Sequence, residues 1–126
     1  MIDHVSVPVR NLEAATRFYE TVLGTLGIAK LEARAATVGF GKTYPDFWIN
    51  LRRDMAAVAA DSGAHVCFRA RTTDLVDGFH EAALAAGGLS EGAPGLRPQY
   101  GEGYYATFIR DPDGNRIEAV TFIIAK

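Results

Sequence analysis

Three side chains far apart in the chain have the makings of one metal site: His4, His65 and Glu118. Each stands on a stretch whose apolar residues alternate with polar ones, the period of a half-buried strand. Val5, Val7 and Val9 take one face of the first stretch and leave His4 with Ser6 on the other. Glu118 lies opposite Ile117 and Ala119 in the last such run, and His65 opposite Val66 and Phe68. Two imidazoles and one carboxylate, with coordination positions left open, suit Fe(II), Mn(II), Zn(II) or Ni(II). Such an ion acts as a Lewis acid, gripping two neighbouring oxygens of a substrate. A single strand histidine is ordinarily a packing or hydrogen-bonding residue. Two at equivalent places in a repeat, with an inward carboxylate, favour a shared ion.

Other residues on the same phase would line the surrounding pocket. Trp48, Asn50 and Arg52 alternate with Phe47, Ile49 and Leu51, while Cys67 and Arg69 follow His65 at two-residue steps. Tyr105 is placed with them. Aromatic groups with one or two arginines suit a planar or anionic small molecule. Cys67 reads as an inert lining side chain, and no catalytic residue is assigned.

These positions need a frame. Asn11 is a plausible N-cap, and Leu12, Ala15, Tyr19, Val22 and Leu26 then recur at helical spacing until Gly24 and Gly27. Strands are expected near 29–34, 36–41 and 47–52. After a poorly patterned stretch (54–63), a strand at 65–69 leads to a helix capped by Thr72 or Thr73 and stopped by Gly87-Gly88. Strands near 96–100, 104–110 and 116–122 complete the chain. Asp111-Pro112-Asp113-Gly114 reads as a turn whose acids shape the backbone rather than bind an ion.

The two halves repeat. A shift of 61 positions, the spacing of His4 and His65, also superposes Val5 on Val66, Phe18 on Phe79, Glu20 on Glu81, Leu23 on Leu84 and Gly27 on Gly88. The expected fold is α+β: two βαβββ modules, about 1–55 and 64–126, in one domain. Their strands would form a curved eight-stranded mixed sheet around a cup, helices outside. Inward positions on the first and last strands of each module, namely His4, Asn50, His65 and Glu118, then converge. The modules would pair within a chain or be swapped between two chains, and exposed sheet edges favour a homodimer.

Charge and composition exclude several classes. The 126 residues carry a formal net charge of −2 with both signs scattered, so no basic block invites nucleic acid or an anionic membrane surface. No apolar run reaches the ~18 residues of a membrane helix. The single cysteine rules out an internal disulfide, and an acid near the start replaces the basic end of a signal peptide. A cytoplasmic protein is expected.

The opening Ile2-Asp3-His4-Val5-Ser6-Val7 with Phe18-Tyr19, the later Ala64-His65-Val66 and the closing Asp111-Pro112-Asp113-Gly114-Asn115-Arg116-Ile117-Glu118 resemble the vicinal-oxygen-chelate superfamily. That group includes glyoxalase I, fosfomycin-modifying thiol transferases, extradiol dioxygenases and bleomycin-resistance proteins. The resemblance places the metal positions at His4, Asn50, His65 and Glu118. Asn50 departs from the glyoxalase pattern, where a carboxylate moves a proton that an amide cannot take. The resemblance thus implies thiol transfer, dioxygenation or a glyoxalase-type lyase step on a small oxygen-rich substrate. Its alternative is a metal-free small-molecule binder of the bleomycin-resistance kind.

Overall fold

The computed structural model describes residues 1–124. Its elements follow the order β1 (Val5–Val9), α1 (Leu12–Gly24), β2 (Ala29–Ala33), β3 (Thr37–Gly41), β4 (Phe47–Leu51), β5 (His65–Arg69), α2 (Thr73–Ala85), β6 (Leu89–Leu96), a short 3-10 turn (Pro98–Tyr100), β7 (Tyr104–Arg110) and β8 (Arg116–Phe122). The two helices sit at the repeat offset at both ends. Each is started by a side-chain cap: Asn11 accepts from the Ala14 N–H and Thr72 from that of Leu75, satisfying a donor that the first turn leaves free.

The eight strands divide between two four-stranded sheets, ordered β1-β4-β3-β2 and β5-β8-β7-β6. In each, the first and last strands of the module pair in parallel and the rest antiparallel. This is the expected two-module α+β fold, with no closed barrel. One face of each sheet carries its helix. Val7, Val9, Val38, Phe40, Phe47 and Ile49 meet Phe18, Tyr19 and Val22 of α1, and Ile109, Ile117 and Ala119 meet Val76 and Phe79 of α2. The two helices pack on each other, so both sets join one core, with Phe47 and Phe68 edge to face across the modules at 5.1 Å.

One expected strand lies elsewhere. Of the expected residues 96–100 only Leu96 is strand; the edge strand runs earlier, Leu89–Leu96, and passes into the 3-10 turn. Pro98 has no N–H to offer a ladder, and register shifts at Ser90/Gly92 and Gly92/Gly95 mark bulges in the glycine-rich strand before it.

A buried carboxylate ties the modules together. Asp111, 3% exposed, accepts the Tyr19 hydroxyl at 2.5 Å, the backbone N–H groups of Asp113 and Asn115, and the Asn115 side-chain amide. Asp113 in turn accepts from the backbone and guanidinium of Arg10, and Asn115 donates to the Pro8 carbonyl. The acids of this turn are structural, as expected from sequence.

Asp111→Ala would strand the Tyr19 hydroxyl and the turn's N–H groups in the core, so urea unfolding should show a loss of about 3 kcal/mol or more. Burial, with the Asp111 charge next, holds the Tyr19 phenol well above its ordinary value. A group raised in this way stabilises the fold fully below its unfolded value and loses that contribution as pH climbs towards the folded one. Unfolding free energy should therefore fall as pH passes about 10. Tyr19→Phe should flatten that fall in part, because Tyr44, Tyr104 and Tyr105 are raised too.

Candidate functional site

Strand pairing decides which residues look away from the helices. In module 2, Cys67 lies beside Glu118 and Glu118 beside Phe108, so His65, Cys67, Arg69, Glu118, Phe108 and Tyr104 share the open face. In module 1, Trp48 and Asn50 take the corresponding face of β4, opposite Phe47 and Ile49.

The centre of the second face is the Glu118 carboxylate, whose side chain is 3% exposed. His65 Nε2 lies 3.1 Å from its Oε1, and the Tyr104 hydroxyl donates to its Oε2. A carboxylate removed from water is costly unless each oxygen finds a donor; here each has one. Burial, then the Glu118 hydrogen bond, raise the Tyr104 phenol, which stays a donor across the working pH range. Burial and the adjacent Glu118 charge push the Cys67 thiol up to about 12, so Cys67 is a neutral lining group, as its sequence context suggests. Arg69 lies over the Phe122 ring at 4.5 Å.

His4 stands on the other face. It lines a cleft of about 420 Å3 with Asp3, Arg34, Tyr44, Trp48 and Asn50. Its Nδ1 meets Asp3 Oδ2 at 2.7 Å, and Tyr44 donates to the same carboxylate. The His4 bond and then the Tyr44 bond hold the Asp3 carboxyl below its ordinary value. A carboxylate on one ring nitrogen fixes the tautomer and leaves Nε2 free, the usual arrangement for a ligating histidine. Trp48 lies against Gly39, where a Cβ would come within 2.9 Å of the indole, and Arg34 stacks on the same ring at 4.9 Å.

Within one chain, then, the expected residues meet as two groups: His65 with Glu118, and His4 with Asn50. Among the described residues no three His, Cys, Asp or Glu side chains come close enough to hold one ion. Trp48, Asn50, Cys67 and Arg69 stand on the open faces. Arg52 lies exposed just past the end of β4, donating to the Leu51 carbonyl. Tyr105 is corrected: it pairs with Thr121 on the helix-bearing side and donates to Asp77 of α2, and its neighbour Tyr104 takes the open face. The sequence gives two tyrosines in a row, and only the register tells which one looks out. Asp3 was legible as the residue beside His4, but nothing in the pattern aimed it at the imidazole.

Each of the two βαβββ modules thus bares one sheet face and has a histidine at the head of its first strand. Residues 1–119 match the model of the Glyoxalase/Bleomycin resistance protein/Dioxygenase superfamily, and the chain belongs to that family. It is similar to a glyoxalase/bleomycin resistance protein of Albidiferax ferrireducens, at 34% identity and TM-score 0.80, with 94% of this chain and 95% of that one covered. A virulence protein of Salmonella typhimurium is 30% identical over 128 residues, 97% of this chain and 84% of its own length. The fosfomycin resistance protein FosX of Listeria monocytogenes shares the fold at TM-score 0.72 and 15% identity, over 98% of this chain and 94% of its own.

If Tyr104 is the donor that keeps Glu118 tolerable in the core, Tyr104→Phe should cost about 2 kcal/mol in urea unfolding. Tyr105→Phe, whose partner Asp77 sits at the surface, should cost less than about 1 kcal/mol.

Proposed function

We propose that the chain is a divalent-metal-dependent enzyme of the glyoxalase/dioxygenase kind, acting in the cytoplasm as a homodimer on a small oxygen-rich substrate. His65 and Glu118 of one copy and His4 of the second would hold the ion. The observation that carries this reading is the buried Glu118 carboxylate at 3.1 Å from a half-exposed imidazole on an otherwise open sheet face. The donor set fits Fe(II), Mn(II), Zn(II) or Ni(II) in type. Its division between two faces of one chain is what a site shared by two copies requires. β1 and β5, which carry or follow the two histidines, are both outer strands of their sheets and are available to a second copy.

When bound, the ion would supply Lewis acidity towards two adjacent substrate oxygens. The chain's own groups prepare that chemistry. Tyr104 holds the Glu118 carboxylate in one orientation, and Asp3 holds His4 by Nδ1. Trp48 and Phe108 offer apolar walls, one on each open face. Asn50 offers no basic group where a proton-moving isomerase has a carboxylate. Thiol addition or dioxygenation is therefore favoured over isomerisation.

Freshly purified or Mn(II)-reconstituted protein should retain metal after gel filtration, and His4→Ala and Glu118→Gln should each lose it. Co-expression of the two variants is the decisive arm. In a two-fold dimer with shared sites, the mixed dimer has one intact site and one doubly defective site, so binding should return to roughly a quarter of wild type. No recovery would sink the shared site. No metal uptake by the wild type would sink the metal, leaving a small-molecule binder of the bleomycin-resistance kind.

A further inference from the structure

The segment joining β6 to β7 folds over the open face of module 2 and carries a cation, Arg97. Arg97 places its guanidinium over the Phe108 ring, 5.4 Å from the centroid, and donates to the Ala93 carbonyl at 2.6 Å. Two glycines make the room. A Cβ on Gly92 would approach Arg97 Nη2 to 3.0 Å, and one on Gly95 would approach Nη1 to 3.2 Å. Among the described residues no carboxylate pairs with Arg97; Glu91, the nearby acid, is taken by Arg110 and Arg116 at 2.7 and 2.9 Å. Arg97, Tyr100, Phe108 and His65 line one cleft of about 380 Å3 together with the paired Glu91 and Arg116.

A guanidinium usually spends its donors on a carboxylate of its own protein. Here it is held over a ring and by the chain's own backbone, with donors left over in the cleft that the imidazole of the candidate site also lines. Loss of side-chain entropy on binding is the usual cost of using an arginine, and most of it is already spent in this arrangement. A planar donor fork held in advance is suited to the paired oxygens of an oxyanion.

We propose that Arg97 is the anion-reading residue of the module 2 cleft, and that the ligand carries a carboxylate or a phosphate-type group next to the part that reaches His65. The role of this contact in catalysis rests on the metal reading above; the anion site itself does not. Chelator-treated protein keeps the two apart. Isothermal titration with inorganic phosphate and, separately, with acetate should show saturable binding to the metal-free wild type. The better of the two probes tells which oxyanion the cleft prefers.

Arg97→Gln should weaken that binding at least tenfold. Gly95→Val, which keeps the charge but crowds the guanidinium, should weaken it as well. Arg17→Gln, which removes an exposed cation of α1 paired with Glu13, should leave it unchanged. Circular dichroism and melting of each variant separate loss of the site from loss of the fold. Equal binding by wild type and Arg97→Gln overturns the proposal. So does no binding by the wild type, as when a carboxylate of a second copy already occupies the guanidinium.

Discussion

The geometry of this protein hangs on one buried carboxylate. Placing Asp111 in the core costs several kcal/mol of solvation, offset only because four donors reach it: the Tyr19 hydroxyl, two backbone N–H groups and the Asn115 amide. Tyr19 belongs to the helix of module 1 and Asp111 to the last turn of module 2. The hydrogen bond between them, with Arg10 on Asp113 and Asn115 on the Pro8 carbonyl, therefore fixes the angle at which the duplicated halves meet. Phe47 against Phe68 fills the same junction with apolar surface. A polar lock inside an apolar joint tolerates only one arrangement, because any other leaves donors unpaired.

That lock turns both helices towards a common core and both open sheet faces away from it. Each module then presents a cleft of its own. The faces have diverged. Module 1 offers Trp48, Arg34 and a histidine steadied by Asp3. Module 2 offers the buried Glu118 with Tyr104 and His65, partly roofed by the 3-10 turn, whose Tyr100 packs edge to face on Tyr104 and Phe108. Duplication supplied two copies of one frame. The chemistry was divided between them, with an imidazole kept at the head of both first strands and the carboxylate kept on one last strand.

The bulged edge strand before Arg97 illustrates how packing and chemistry share residues. Glycines that look in the sequence like loose connection are close-approach positions: they admit a guanidinium between the strand and Phe108. Glu91 on the same strand binds Arg110 and Arg116, and these two also reach the carbonyls of Ala60 and Ser62. The connection between modules is thereby strapped to the open-face side of the second sheet, beside His65. Two arginines are consumed by structure and one is left for a ligand.

Much of this was legible in the residues. Period-two and helical apolar spacing, two capping residues and the 61-position repeat are local or self-comparing signals, and they defined the modules, both helices and the phase of His65 and Glu118 on their strands, while His4 falls just before β1. Long-range placement was not legible. Whether Tyr104 or Tyr105 looks outwards is settled by one step of register against β8. That residues 97–100 turn rather than continue the strand follows from a proline beside a bulged edge. The sequence determined which groups are available for chemistry and that neighbours along a strand take opposite sides, because those depend on residue type and backbone periodicity alone. Only the tertiary structure decided which groups meet: the β5–β8 register puts His65 on Glu118 inside module 2, and the Asp111 lock sets module 1, with His4 in its own cleft, apart from them.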